Sequence, residues 1–206
     1  MASRSATRAE TLVIACGALA KELADIVTIN RLDSVAIECL PAHLHNTPQQ
    51  ITGAVAARIE RARDAYDRIF IGYADCGTGG ALDRLLAREG IERLPGAHCY
   101  EFFATTDVFG VIHEADPRTF YLTDYLVRYF DRLVVTGLGI DRHPDLLHDY
   151  FGNYRRIVHL AQHDDPGLER AGRAAASRLG LSYERRVVGY GDLEESLVRL
   201  RAPQRA

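Results

Sequence analysis

I-F-I-G-Y-A-D-C-G-T-G-G, Ile69 to Gly80, runs from an apolar segment into a glycine-rich turn. Ile69 to Tyr73 is short, apolar and bounded by turn residues, which predicts a buried strand. Gly79 to Glu89 then predicts a helix. A strand feeding a helix through a tight turn is the step from which parallel sheets are built. The same step recurs on either side. Upstream, Leu12 to Cys16 is an apolar run followed by A-L-A-K-E-L-A-D-I-V at helical spacing, and Val35 to Leu40 is a second strand candidate. T-P-Q-Q then opens a helix, with Thr47 placed to cap, Pro48 suited to the first turn and Gln50 placed to complete a capping box. Ile51, Val55, Ile59, Ala62 and Tyr66 share one face of it, and the arginines around them lie largely on the solvated side.

Downstream, Phe120 to Val135 has mixed periods and reads either as one long helix or as a helix ending near Asp131 followed by a strand, R-L-V-V-T-G. Ile157 to Ala161 predicts a strand. D-D-P-G-L-E-R predicts a capped helix stopped at Gly180, Tyr183 to Val188 a last strand, and Asp192 the cap of a closing helix. The expectation is an α/β fold: a single three-layer Rossmann-like domain over residues 11–200, with a mostly parallel sheet and helices on both faces. Residues 1–10 read as a flexible lead and 201–206 as a flexible tail.

The chain of 206 residues carries 25 basic and 28 acidic side chains for a net charge of −3, with both signs mixed along it, so no basic stripe points to nucleic acid. Its longest apolar runs fall far short of the roughly 20 residues that span a bilayer. Arg4 and Arg8 before L-V-I-A-C-G imitate a lipoprotein signal, but only about four apolar residues precede Cys16, against roughly 7–15 in a secretory segment. The four cysteines therefore read as reduced thiols of a cytoplasmic protein.

Three of those thiols follow strand-like or turn-like segments: Cys16 in L-V-I-A-C-G, Cys76 in D-C-G-T-G-G and Cys99 in H-C-Y-E-F-F. At the carboxyl edge of one sheet, where open α/β folds bind ligands, they would share a pocket. His98 precedes Cys99, and His43 and His45 lie in L-P-A-H-L-H, where extended backbone would point both the same way; equally, one could ligate while the other packs. Cys16, Cys76, Cys99, His45 and His98 are the candidate ligands of a zinc or iron ion or of an iron–sulfur cluster, since thiolate and imidazole suit such centres. There is no C-x-x-C pair, so this rests on convergence in space. Cys39, inside an apolar strand, reads as a core cysteine. The Gly77, Thr78, Gly79 and Gly80 turn can offer backbone N–H groups to an anionic substrate, or help activate Cys76 as a catalytic thiol. The alternative is a plain strand-to-helix turn. In G-L-G-I-D-R-H-P, Asp141 and His143 are a candidate acid–base pair and Arg142 a candidate anion ligand; alternatively, Asp141 caps a helix beginning near Pro144. Asn153, Arg155 and Gln162 are expected near the same edge.

A-C-G-A-L, L-P-A-H-L-H-N-T-P, Y-A-D-C-G-T-G-G, H-C-Y-E-F-F, G-L-G-I-D-R-H-P and Y-F-G-N-Y-R-R together resemble the DUF1638 family, along nearly the whole chain. The resemblance implies an association with corrinoid methyltransferase systems and hence with methyl-group metabolism; it assigns no catalytic residue. Three functions are expected: a metal- or cluster-binding small-molecule enzyme, an accessory protein that delivers a small molecule, methyl carrier or metal to such a system, or a metal-free enzyme using Cys76.

Overall fold

The computed structural model describes residues 10–201; the expected lead, apart from Glu10, and the tail beyond Arg201 lie outside the described residues. The described residues form two compact units, one made of 10–102 together with 192–201, the other of Phe103–Gly191.

The first unit contains β1 (Thr11–Cys16), α1 (Ala20–Asn30), β2 (Val35–Leu40), α2 (Ile51–Ala62), β3 (Arg68–Gly72), α3 (Ala81–Glu89) and the short β4 (Glu92–Arg93). Its four strands are all parallel, in the order β2-β1-β3-β4. Every residue of β1 is buried, as a central parallel strand requires. Ile51, Val55, Ile59 and Ala62 of α2 are buried on one face, as their spacing predicts. The expected caps do not form there, because Thr47 makes no side-chain cap and Pro48–Gln50 is a 3-10 turn leading into the helix. After β1 the chain builds β2 on one side and then returns to build β3 on the other. That reversal opens a crevice at the carboxyl ends of β1 and β3, the usual ligand position in such sheets. Gly72 lets the two strands close on each other: a Cβ there would stand 2.7 Å from the Cβ of Ala15, its neighbour in register.

α4 (Cys99–Ala104) and α5 (Thr106–Ala115) follow, and the second unit continues with β5 (Thr119–Thr123), α6 (Asp124–Arg128), α7 (Leu146–Phe151), β6 (Arg156–Ala161), α8 (Pro166–Leu179) and β7 (Ser182–Val187). Its three strands are parallel in chain order, β5-β6-β7, over a core that includes Leu122, Val127, Phe130, Ile157, Leu168 and Leu179. Asp165 caps α8 by accepting from the Gly167 and Leu168 amides, and Gly180 (φ 70°) ends it. α9 (Gly191–Val198) closes the chain.

The α/β class and parallel pairing are as expected, with the strands divided between two sheets. Two local readings are corrected. Thr119–Thr123 is a strand, and R-L-V-V-T belongs to a π-helical turn over Asp131–Thr136 in place of a strand. The apolar residues there face the core of their own unit from a helical backbone, burying Val134 and Val135. A short apolar run does not distinguish that from a strand.

Candidate functional site

Cys16 is the last residue of β1, and its sulfur accepts from the Ala18 amide at 3.5 Å, capping the turn that follows. Gly17 is needed there because a Cβ would lie 2.8 Å from the Leu40 carbonyl oxygen. Cys76 follows β3 with φ at 50°, a left-handed conformation that costs a residue with a Cβ about 1–2 kcal/mol. The turn is held in place from its neighbour: the Asp75 and Cys76 amides donate to the Gly96 and Ala97 carbonyls at 3.1 and 2.9 Å. Arg93, paired with Asp83 at 2.6 Å, donates to the Leu94 and Gly96 carbonyls and braces the same segment. Cys99 begins α4 directly after it.

These placements bring Cys16, Cys76 and Cys99 to one small cavity, together with His45, Tyr73 and apolar side chains. Its volume is about 10 Å³, room for roughly one water molecule. The His45 Nδ1 stands 4.0 Å from the Cys16 sulfur. Sequence reasoning passed over Tyr73. It is 1 % exposed, and its hydroxyl has no regular hydrogen bond among the described residues. The one available signal was its position at the end of β3, where side chains reach the crevice.

Burial pushes the Cys76 thiol up to about 12, with the neighbouring Cys16 adding to the effect. Burial likewise raises Cys16 and Cys99, and Cys99 also feels Cys76. Burial, then Cys16, raises Tyr73. Without a bound cation the cavity therefore holds neutral thiols at pH 7. His45 is an exposed residue with one ring edge against the cavity, and desolvation of that edge, followed by repulsion from His98, lowers its pKa.

Other predicted residues stand elsewhere. Ala42–Asn46 is a 3-10 turn, in which residues two apart diverge by roughly 240°. His43 and His45 consequently do not point together, and His45 alone lines the cavity. His98 is exposed and stacks on Tyr100, ring centroids 4.9 Å apart. In the glycine turn, Asp75 takes the groups that were candidates for an anion: it accepts from the Thr78 hydroxyl at 2.6 Å and from the Gly80 and Gly79 amides at 3.0 and 3.3 Å. Those bonds, led by Thr78, hold its carboxyl below the ordinary aspartate range.

Asp141, Arg142 and His143 belong to the second unit and are exposed, with Arg142 3.8 Å from Asp141. Arg155 precedes β6 whereas Gln162 follows it, so Asn153 and Arg155 lie at the opposite end of that strand from Gln162. Among the described residues, no group of three or more His, Cys, Asp or Glu side chains stands at metal-binding spacing.

A family model described as "Protein of unknown function (DUF1638)" matches residues 39–197. The chain belongs to the DUF1638 family. The match takes in Cys76, Cys99 and most of both units, and starts after β1 and Cys16. No curated protein and no solved structure matches the chain. Among the described residues no helix is long and apolar enough to cross a membrane.

Proposed function

We propose that the chain is a metal- or iron–sulfur-binding protein acting on a small molecule, with Cys16, Cys76 and Cys99 as thiol ligands and His45 as the fourth. One observation carries the reading: three thiols, an imidazole and a phenol with no regular hydrogen bond among the described residues line one cavity at the reversal point of a parallel sheet. Soft sulfur and imidazole donors suit zinc, iron or a cluster. The size of the space favours a single ion with its ligands drawn inward over an organic ligand. A coordinating cation deprotonates a thiol outright, so loading would release protons even though burial opposes ionisation of the empty site. Such a centre, when bound, supplies Lewis-acid activation in the case of zinc or electron transfer in the case of a cluster. The Tyr73 hydroxyl is then the local donor for an oxygen or sulfur atom at the centre.

This reading is preferred to a metal-free Cys76 nucleophile because a thiol raised to about 12 is scarcely ionised at neutral pH. A cytoplasmic location, a role in one-carbon metabolism and a corrinoid methyltransferase system as partner belong to the same proposal. Their support is the family resemblance and the reduced state expected of the thiols. The test is titration of the anaerobic protein with Co(II) as a spectroscopic probe for zinc. The expected result is saturation at one equivalent, with thiolate-to-cobalt charge-transfer absorption and proton release, both abolished by Cys76→Ser. Absence of that absorption in the folded wild type contradicts the reading.

A further inference from the structure

The carboxyl edge of the second sheet holds a separate polar cluster that the thiol site does not use. Asp124 directly follows β5 and is fully buried. Its Oδ1 accepts from His159 Nε2 at 2.9 Å, and its Oδ2 from the His163 amide at 3.0 Å and His163 Nδ1 at 2.9 Å. Gln162 fixes the segment by accepting from the Asp124 amide at 2.8 Å while donating to the Leu160 carbonyl. Desolvation raises the Asp124 pKa, but the bonds from the two histidines outweigh it and keep the group a carboxylate.

A carboxylate only accepts, which for neutral imidazoles assigns the ring protons. His159 carries its proton on Nε2, so its Nδ1 accepts from the Tyr183 hydroxyl at 2.9 Å. His163 carries its proton on Nδ1, so its Nε2 accepts from the Tyr190 hydroxyl at 3.0 Å. The two branches differ in access. His159 is wholly buried, and its tyrosine sits against Gly172, where a Cβ would lie 2.7 Å from the Tyr183 ring. The His163 side chain is 31 % exposed, and Tyr190 is half-buried on the loop after β7. The partly exposed branch reaches solvent at strand ends, where α/β sheets bind ligands.

We infer that Tyr190, His163 and Asp124 form a proton-abstracting relay for a small molecule that is a weak oxygen or carbon acid. The substrate proton passes to the Tyr190 oxygen as the hydroxyl proton of Tyr190 passes to His163 Nε2. The products are the substrate anion, neutral Tyr190 and an imidazolium held against the Asp124 carboxylate. Tyr190 and His163 are the acid–base pair. Asp124 is a positioning residue that sets the His163 tautomer, and His159 with Tyr183 positions Asp124.

The test needs no substrate. Imidazole nitrogen NMR of the full chain is expected to show His163 protonated on Nδ1 and His159 on Nε2. Diethyl pyrocarbonate then probes His163 Nε2, which takes the ethoxycarbonyl group and releases carbon dioxide and ethanol. Peptide mass mapping against exposed His148 follows the rate at each position. Asp124→Asn is expected to slow modification of His163 at least tenfold, and Tyr190→Phe, which removes one oxygen and keeps the ring, to speed it severalfold by unmasking Nε2. Should Asp124→Asn not fold, the Tyr190→Phe rate and the wild-type tautomers decide. A His163 proton on Nε2, or a His163 rate unmoved by Tyr190→Phe, overturns the relay.

Discussion

At the carboxyl edge of the first sheet, Cys16, Cys76 and Cys99 surround a buried tyrosine whose hydroxyl has no regular hydrogen bond among the described residues. In the second sheet, Asp124, His163 and Tyr190 at the carboxyl edge join His159 and Tyr183, farther down the strands, through both carboxylate oxygens and all four ring nitrogens. Both edges are ends of short parallel strands, the position this architecture reserves for chemistry. They differ in what completes them. Thiols hydrogen-bond weakly and give the phenol no regular partner among the described residues, which is the opening that the proposed metal would fill. The second is hydrogen-bonded throughout from its own side chains.

Stability measurements can break that contrast. The largest effect is expected from Asp124→Ala, which strands the buried His159 ring N–H and the part-buried His163 ring and amide N–H groups; the loss should be about 3–5 kcal/mol in urea unfolding. Gly72→Ala should cost about 1–3 kcal/mol, because the new methyl forces β1 away from β3. It should also weaken cobalt binding, since those two strands deliver Cys16 and Cys76.

The tyrosines sharpen the comparison by sign. Tyr183→Phe deprives His159 Nδ1 of its donor and should destabilise the chain by about 1 kcal/mol. Tyr73→Phe removes a buried hydroxyl with no regular partner and should leave the metal-free chain equally or more stable, by up to about 1 kcal/mol. An equal loss in the two variants would mean that Tyr73 is already satisfied.

Stability against pH gives the most separable effect. Cys76 is raised on folding, so its contribution is intact below its ordinary value of 9.0 and falls away as pH rises from there toward about 12. Asp124 is lowered, so its contribution is intact above about pH 4 and is lost as the medium becomes more acid. Cys76→Ala should therefore flatten only the alkaline limb of the unfolding midpoint, and Asp124→Asn only the acid limb. Saturating zinc should also flatten the alkaline limb, because bound thiolates no longer carry the raised pKa.

Much of the first edge was legible in the sequence. Among the described residues, five of the seven strands lie within a residue or so of their expected bounds; β1 and β3 were the plainest, because apolar runs closed by C-G or D-C-G admit few other readings. The thiols could be placed at strand ends on that basis. The turns were harder to read. His43 and His45 looked paired only while their loop was taken as extended, and the glycine turn looked open because its own Asp75 was not seen as its ligand. The second edge was nearly silent. His159 sits inside I-V-H-L-A and reads as one polar residue in a buried strand, while Asp124 lay hidden where β5 runs straight into α6. They are 35 residues apart, and no spacing rule joins them.

The central claim is that the thiol edge is completed by a metal. Elemental analysis with a visible absorption spectrum, on protein purified without oxygen, tests it most directly when wild type is compared with a Cys16→Ser, Cys76→Ser, Cys99→Ser triple variant. The account predicts near-stoichiometric zinc or iron in the wild type and none in the folded variant. A wild type with no metal, or with metal that the variant retains, would contradict it.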